Sequence, residues 1–311
     1  MIASTSALAR HGRENGYAVP AVNVLDDISL RAVVSAAVEA AAPLIIQISV
    51  KTVKQMGTEL TTTTFRLAAH DAPVPVALHL DHCPDRAVIS DVVAAGWSSV
   101  LFDASDRGLA DAERETAEVV AEAHAAGVDV ESEIENIVGV EDGVGSDVAL
   151  HAYTVGQLAE IAERTGVDLL APQLGTAHGQ YRARPVLRPD RVRDLVALTD
   201  IPIVLHGGTG LSAEDFRTFI DAGVSKINIS TAVKMAYMKA AAAHLDMARA
   251  RDKWDPPTMF RDIRTAVQDT IATHIEWFGA SGHAPDALAA GVAVGRPGGE
   301  GPRGLPNEAA R

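Results

Sequence analysis

Eight short apolar runs recur along the chain, separated by longer segments in which apolar positions repeat with a helical period. Each run has the length and the β-branched content typical of a buried strand. The predicted strands are residues 18–24, 43–49, 74–81, 98–103, 128–135, 167–174, 201–207 and 226–230. The predicted helices include residues 27–41, 107–126, 154–165, 212–222 and 231–246. Gly127, Gly166 and Gly223 follow three of these stretches, as expected at helix C-termini.

Strand–helix alternation repeated eight times predicts a closed α/β barrel of the (β/α)8 TIM-barrel type. The alternative is an open doubly wound sheet, but no Gly-x-Gly-x-x-Gly follows the first strand, which weakens a dinucleotide-binding version of it. Residues 255–279 pattern as a helical extension, so residues 1–282 are predicted to form a single barrel domain with C-terminal helices. Residues 283–311 are rich in Ala, Gly and Pro without periodicity, and we predict a disordered tail there.

Composition narrows the choice of partners and compartment. The chain has 311 residues with 47% hydrophobic but only 4% aromatic side chains, so the core must be mostly aliphatic. Its formal net charge of −14 argues against a nucleic acid or an anionic membrane as partner. No stretch approaches the ~18 apolar residues of a membrane span, and the N-terminus lacks the apolar run of a signal peptide. The single cysteine, Cys83, excludes an intrachain disulfide and favours the cytoplasm.

Polar residues gather at the C-terminal ends of the predicted strands. In a barrel of this type the chemistry lies at that rim. The rim residues are Asn23, Gln47, Ser49, His79, Asp81, His82, Asp103, Ser105, Glu131, Glu133, His178, His206, Asn228, Ser230 and Thr231. We therefore expect one rim to bind substrate, with Asn23 and Ser49 among its candidate binding groups.

Three histidines, His82, His178 and His206, come from three separate strand ends. Taken singly, each is best interpreted as a hydrogen-bonded core histidine. Together on one rim they predict a metal site, because three imidazoles with an open fourth position are typical of catalytic zinc. His79 lies two residues before Asp81 on the same strand and is more typical of a residue that packs behind the ligands.

Glycines in the loops after the sixth and seventh strands predict a phosphate site beside the metal. They are Gly175, Gly179, Gly207, Gly208 and Gly210. Glycine lets the backbone approach a ligand closely, and successive N–H groups form a nest for an anion. Barrels often bind phosphate near strands seven and eight. Thr209, Ser230 and Thr231 could add hydroxyl donors.

From about residue 5 to residue 282 the chain resembles the class II fructose-bisphosphate and tagatose-bisphosphate aldolase family. The matching segments are AVNV (21–24), VALHLDHC (76–83), FDAS (102–105), ESEIENIVGVED (131–142), GTAHGQY (175–181), VLHGGTG (204–210) and KINIST (226–231). The order of LDH, GTAHG and HGG is highly specific to this family.

The resemblance implies a zinc-dependent aldolase that cleaves a ketose 1,6-bisphosphate or 1-phosphate to dihydroxyacetone phosphate and an aldehyde. It implies a monovalent cation, Na⁺ or K⁺, near the phosphate, and a homodimer or homotetramer. His82, His178 and His206 would ligate zinc. The resemblance implies that Asp81 exchanges the proton of the C4 hydroxyl and that Glu141 transfers a proton at C3. It implies an alternative or second metal position at Glu133. The residues implied to bind the dihydroxyacetone phosphate portion are Gly179, Gly207, Thr209, Asn228 and Thr231.

Several residues depart from the family pattern. Glu135 and Val138 replace two glycines after the fifth strand, and Ser230 replaces an aspartate of the fructose-bisphosphate enzymes. Pro257 stands where the family carries an arginine to the distal phosphate. We hypothesise that the aldehyde product is not glyceraldehyde 3-phosphate, or that a rearranged arginine binds it. The candidate arginines are Arg182, Arg251 and Arg261.

Three alternatives lack support in the sequence. A Schiff-base aldolase needs a buried lysine near a strand end, whereas Lys226 is predicted to begin its strand at the opposite rim and only Lys51 closely follows a strand. A barrel metal-dependent hydrolase typically has a His-x-His pair early in the barrel, and the first two strands contain no histidine. A non-catalytic sugar-phosphate-binding protein could lose Asp81 or a metal ligand, and all are present.

Overall fold

A computed structural model describes residues 1–141, 144–146, 148, 151–179, 181 and 184–292 of the chain. Eight of its strands form a closed barrel and two form a separate antiparallel hairpin. The strands are β1 Val19–Asn23, β2 Leu44–Ser49, β3 Val76–Cys83, β4 Ser99–Asp103, β5 Asp129–Glu133, β6 Gly139–Glu141, β7 Val144–Ser146, β8 Leu169–Leu170, β9 Ile203–Leu205 and β10 Val224–Ile229.

The barrel order is β1-β10-β9-β8-β5-β4-β3-β2, and every neighbouring pair is parallel. This confirms the predicted TIM barrel. The pairing of β8 is shorter than the predicted strand 167–174. The Ala171 N–H still donates to the Ser132 carbonyl of β5, but the Gln173 N–H donates to the carboxylate of Glu135 instead of to a strand. The hairpin β6–β7 follows β5 outside the barrel.

Helices separate the strands and cover the barrel. They are α1 Thr5–Asn15, α2 Asp27–Glu39, α3 Val50–Met56, α4 Thr58–Asp71, α5 Arg86–Ala94, α6 Leu109–Ala125, α7 Val155–Thr165, α8 Pro189–Val196, α9 Ala213–Ala222, α10 Thr231–Arg251, α11 Pro256–Trp277 and α12 Ala284–Ala289. The side chains of Asp26, Thr154 and Ser212 form capping boxes at the starts of α2, α7 and α9. None of the helices in the described part is long and apolar enough to span a membrane.

Helix α1 closes the N-terminal end of the barrel. Its Ala9 is fully buried in a cluster with Leu169, Ala171 and Val204, which belong to the strand region of the barrel. The hydroxyl of Thr5 lies 2.6 Å from that of Ser99 at the start of β4. The residues predicted to carry the chemistry therefore lie at the opposite end.

Residues 283–292, the first part of the predicted disordered tail, are structured instead. Helix α12 lies in this segment, and Ala287 is fully buried. The Ala284 N–H donates to the carbonyl of Ala41, and the Ser4 N–H donates to that of Val292. These tertiary contacts stabilise a helix too short to be stable alone. Residues 293–311 lie outside the described residues.

Candidate functional site

Three predicted metal ligands and Glu133 converge at the C-terminal rim. His82 lies in β3 near its end, Glu133 ends β5, His178 lies in the loop after β8, and His206 directly follows β9. One ligand atom from each side chain lies within 4.8 Å of every other. The imidazole Nδ1 of His206 is 3.2 Å from Oε2 of Glu133. Separate strand ends thus bring three nitrogens and one carboxylate oxygen together.

The geometry of this cluster fits a metal ion. Three of its atoms are buried and make no hydrogen bond of acceptable geometry with the described residues: Nε2 of His82, Nδ1 of His206 and Oε2 of Glu133, the last two lying 3.2 Å apart. Buried polar atoms are nearly always hydrogen-bonded, so such atoms facing a common centre indicate a ligand. Imidazole nitrogens with a carboxylate oxygen are a usual donor set for zinc.

The other ring nitrogens of two ligands contact carboxylates behind the site. Nδ1 of His82 lies 3.1 Å from Oδ2 of Asp103, and Nε2 of His206 lies 2.9 Å from Oε1 of Glu131. Such partners fix which nitrogen of each ring faces the metal. His82 has a φ of +43°, a left-handed conformation that is uncommon outside glycine and is found at functional sites. Burial acts to lower the pKa of His82, but Asp81, Glu133 and Asp103 together raise it well above its ordinary value.

Asp81 is buried beside this cluster and held in one orientation. Its Oδ2 accepts a hydrogen bond of 2.7 Å from Nδ2 of Asn23, and its Oδ1 accepts one of 3.4 Å from Nδ2 of Asn228. The same Oδ1 is 4.0 Å from Nε2 of His82. Asn23 is fixed in turn by the Gln47 amide, which donates to its Oδ1 at 2.9 Å. The carboxylate therefore lies next to the nitrogen that faces the metal position.

A buried group of ionisable side chains lies below the ligands; His79 packs there as expected from the sequence, whereas the lysine in it was not foreseen. Lys226, Glu131 and His79 are each 0% exposed. Nζ of Lys226 is 2.8 Å from Oε2 of Glu131, and Nε2 of His79 is 3.7 Å from the same oxygen. Burial alone would raise the pKa of Glu131, but Lys226 and His206 hold it well below its ordinary value.

The predicted position of Lys226 at the opposite rim is wrong. Lys226 is the third residue of β10, and its ammonium group contacts Glu131 and Asn228 inside the barrel. The prediction failed because the strand begins two residues earlier than predicted, at Val224. Since the amine is engaged by two acceptors in a salt bridge and a hydrogen bond, it does not favour the Schiff-base alternative.

The glycines predicted to bind phosphate lie in loops with close backbone packing. Gly207 has a φ of +70°, and a Cβ there would lie 2.5 Å from the carbonyl oxygen of Ala177. Gly179 has a φ of +85°, and no atom lies within 4 Å of the place where its Cβ would be. The Tyr181 hydroxyl donates to the Gly207 carbonyl and accepts from the Ala177 N–H, which ties the loops after β8 and β9 together.

The start of α10 directly follows β10 and offers donors for an anion. Ser230 precedes the helix, and its buried hydroxyl has no hydrogen-bond partner among the described residues. Its side chain does not cap α10, which starts at Thr231. Asn228 is nearly buried at the end of β10, and Thr209 is half-buried in the turn after Gly207. An N-terminus with free N–H groups is a ready anion site.

Two further predicted residues occupy different settings. Ser49 ends β2 in register with Asp81, and its hydroxyl accepts a hydrogen bond from the Thr52 N–H to cap α3. Glu141 ends β6, but its side chain lies outside the described residues. The hairpin carrying Glu141 packs against the metal site, since the His178 N–H donates to the Val138 carbonyl at 2.8 Å.

The departure at Glu135 has a structural role that the sequence did not reveal. Its buried carboxylate accepts hydrogen bonds from Nη2 of Arg191 at 2.7 Å, from the Tyr153 N–H at 2.8 Å and from the Gln173 N–H at 3.0 Å. Arg191 also donates to the carbonyls of Tyr153 and Gln173. Glu135 and Tyr153 bracket the segment that contains Glu141, so the hydrogen bond between them joins its two ends and Arg191 supports it from α8.

Comparisons with known proteins agree with this architecture. A family model described as "Fructose-bisphosphate aldolase class-II" matches residues 3–283. A fructose-bisphosphate aldolase of Staphylococcus epidermidis is 34% identical over 275 residues, covering 88% of this chain and 95% of that protein. The crystal structure of the YdjI aldolase from Escherichia coli K12 superposes with a TM-score of 0.80 at 30% identity, covering 91% of this chain and all of the other. A fructose-bisphosphate aldolase from Campylobacter jejuni, at 23% identity and a TM-score of 0.77 over 90% of this chain and 96% of that one, supports the fold.

Proposed function

Since the chain belongs to the class-II fructose-bisphosphate aldolase family and is thereby a metal-dependent aldolase, we propose that it reversibly cleaves a ketose phosphate to dihydroxyacetone phosphate and an aldehyde. The hydrolase and the non-catalytic alternatives do not agree with this membership. The observation that carries the proposal is the convergence of His82, His178 and His206 with a carboxylate, Asp81, 4.0 Å from the metal-facing nitrogen of His82. The donor set is that of catalytic zinc, and we assign zinc as the metal.

The chemistry follows from this placement. Cleavage of the C3–C4 bond requires the C4 hydroxyl to lose its proton while the bonding electrons remain on C3. A divalent cation held by the three histidines would supply the positive charge that stabilises the electron-rich ketone half. Asp81 accepts the C4 hydroxyl proton as general base, because Asn23 and Asn228 hold its carboxylate beside the site. Glu141, at the end of β6, is assigned to return a proton to C3, and Glu133 to an alternative metal position.

The ketone-side phosphate is assigned to the loops after β9 and β10. Supporting observations are the Ser230 hydroxyl, which has no hydrogen-bond partner in the described part of the chain, and the start of α10 at Thr231. Helix N-termini at this place in a barrel commonly bind phosphate. The proposed donors are Gly179, Gly207, Thr209, Asn228, Ser230 and Thr231, with Asn23 and Ser49 on the rim beside them and a Na⁺ or K⁺ ion near the phosphate.

The aldehyde half is proposed to lack a distal phosphate. Asp255 caps α11 by accepting from Thr258, and Pro257 lies in the first turn of that helix, where it offers no cation and no N–H donor. Arg251 and Arg261 are exposed. Arg182 lies outside the described residues. Because Pro257 offers no cation, we propose a ketose 1-phosphate rather than a 1,6-bisphosphate as the substrate.

The test is metal analysis followed by cleavage assays with fructose and tagatose 1,6-bisphosphate and with fructose and tagatose 1-phosphate. We expect bound zinc, release of dihydroxyacetone phosphate, and kcat/KM for a 1-phosphate at least equal to that for the bisphosphate. R251M and R261M test whether either arginine binds a distal phosphate. Neither variant should change the ratio of kcat/KM for the 1-phosphate to kcat/KM for the bisphosphate. A strong preference for a bisphosphate would contradict the assignment of the aldehyde half, and no cleavage of any of the four would contradict the proposed substrate class.

We also propose that the chain forms a homodimer or a homotetramer. Large apolar side chains are exposed on α10 and just beyond it, namely Met238, Leu245, Met247, Trp254 and Phe260. Exposed apolar patches mark surfaces used in association, and Met238 and Leu245 lie two helical turns apart on one face of α10. Light scattering coupled to size-exclusion chromatography measures the mass, and a monomer at micromolar concentration would contradict this proposal.

A further inference from the structure

A continuous chain of buried polar contacts runs below the site and joins a proposed metal ligand to the proposed base. From His206, Nε2 lies 2.9 Å from Oε1 of Glu131. The other oxygen of Glu131 is 2.8 Å from Nζ of Lys226. Lys226 also donates to Oδ1 of Asn228 at 2.8 Å, and Nδ2 of Asn228 donates to Asp81 at 3.4 Å. Lys226 is therefore the central member of this chain.

The ammonium group dictates the orientation of its neighbours. A lysine ammonium only donates hydrogen bonds, so Asn228 must present its carbonyl oxygen to Lys226. The amide nitrogen of Asn228 then points at the carboxylate of Asp81. Without the ammonium group the amide could turn over, and its oxygen would face the carboxylate with no attraction between them. The same ammonium group holds one oxygen of Glu131 and leaves the other for His206.

We propose that Lys226 is a positioning residue that orients Asp81 through Asn228. This inference rests on the role given above to Asp81 in cleavage. Lys226 itself does not reach the substrate, since it is fully buried beneath Asn228 and Glu131.

A simpler role for Lys226 would be to neutralise Glu131, because an unpaired buried carboxylate is strongly destabilising. Two variants separate these roles. K226M leaves Glu131 without its cation. K226M/E131Q removes both charges together, and the new amide oxygen can still accept a hydrogen bond from Nε2 of His206. Charge neutralisation predicts that the double variant recovers stability, zinc affinity and kcat. Positioning predicts that stability and zinc affinity recover and kcat does not, because Asn228 still lacks its donor.

The experiment compares the wild type with K226M, E131Q, K226M/E131Q and K239M. Lys239 is exposed on α10 and provides a matched lysine-to-methionine control. Three quantities are measured: the melting temperature, the zinc affinity of the metal-free protein by chelator competition, and kcat and KM with fructose 1-phosphate and fructose 1,6-bisphosphate. We expect K226M/E131Q to match the wild type in melting temperature and zinc affinity, with kcat lower by about tenfold and KM changed by less than about threefold.

K226Q is the second variant, because it keeps an N–H donor toward Asn228 without a charge. K226Q/E131Q should have a higher kcat than K226M/E131Q, and an equal kcat would count against the orientation of Asn228. Recovery of wild-type kcat in K226M/E131Q would overturn the positioning role of Lys226. Absence of cleavage by the wild type would instead overturn the proposed function, so the two failures are distinguishable.

Discussion

The ion pair between Glu135 and Arg191 is expected to be a major stabilising contact of this barrel. The Glu135 side chain is 0% and that of Arg191 11% exposed, so water cannot replace either partner's charge. R191M removes the cation and leaves the carboxylate buried with only two backbone N–H donors, those of Tyr153 and Gln173. Breaking a buried pair by removing one partner costs about 3–5 kcal/mol.

This free energy converts into a shift of the melting temperature. Unfolding entropy is about 2.1 cal/mol/K per residue, which for the roughly 280 described residues gives about 0.6 kcal/mol/K. R191M should therefore lower the melting temperature by about 5–8 °C. R191M/E135Q should recover at least half of this loss, because it removes the unpaired charge while its amide oxygen still accepts a backbone N–H.

Differential scanning calorimetry measures both variants, with R193M as control. Arg193 is exposed on the same helix, α8, and its loss should leave the melting temperature unchanged. If R191M melts within about 1 °C of R193M, the pair does not stabilise the fold as argued. If the double variant melts as low as R191M, the cost does not come from an unpaired buried carboxylate.

Three further predictions concern the metal, the base and a buried histidine. A chelator should abolish cleavage and added zinc should restore it, whereas borohydride with substrate should leave activity intact; inactivation by borohydride would indicate a Schiff base. D81N should lower kcat by about 100-fold with wild-type zinc content, and a kcat within about threefold of wild type would exclude Asp81 as the base. Burial lowers the pKa of His274 below its ordinary value of 6.5. Below pH 6.5 the folded state therefore binds fewer protons than the unfolded state. The contribution of His274 to stability is present above pH 6.5 and is lost as the pH falls below 6.5. Denaturant unfolding of H274Q between pH 5 and 7 should show a flatter decline than the wild type, and an identical slope would contradict this account.

The barrel could be predicted because its strands are buried on both faces and read as continuous apolar runs. Six helices were not among those predicted, namely α1, α3, α4, α5, α8 and α12, and the first and last of them show why. In α1 most of the residues after Leu8 are polar or small, and it is held by its contacts with the barrel end rather than by a strong pattern. In α12 only six residues are helical, and their stability comes from packing against the turn around Ala41. Tertiary contacts of this kind are not encoded in local periodicity.

The convergence of His82, His178 and His206 could be predicted because three separate strand ends place them on one rim, whereas each histidine alone would be interpreted as a packed core residue. The buried lysine could not be placed by the same argument. Residues inside a strand that is buried on both faces show no polar–apolar alternation, so the pattern does not reveal which face a side chain occupies. Lys226 was therefore assigned by its nearness to the start of a run, and its interior position was missed.

The positions of the charged residues along the strands indicate that Lys226 lies inside the barrel. Residues two apart on a strand share a face, which pairs Glu131 with Glu133 on β5 and Lys226 with Asn228 on β10. A charged side chain cannot face the apolar helix layer without a partner, so Glu131, Glu133 and Lys226 must point into the barrel. Glu133 lies at the level of the metal ligands, which leaves Glu131 one layer below them and without a metal to neutralise it. Lys226 is likewise one layer below Asn228, and it is the buried cation at that depth. A lysine inside an apolar strand therefore predicts a buried acid at the same depth on another strand. Here that acid is Glu131, and Glu133, two positions later on the same strand, reaches the rim.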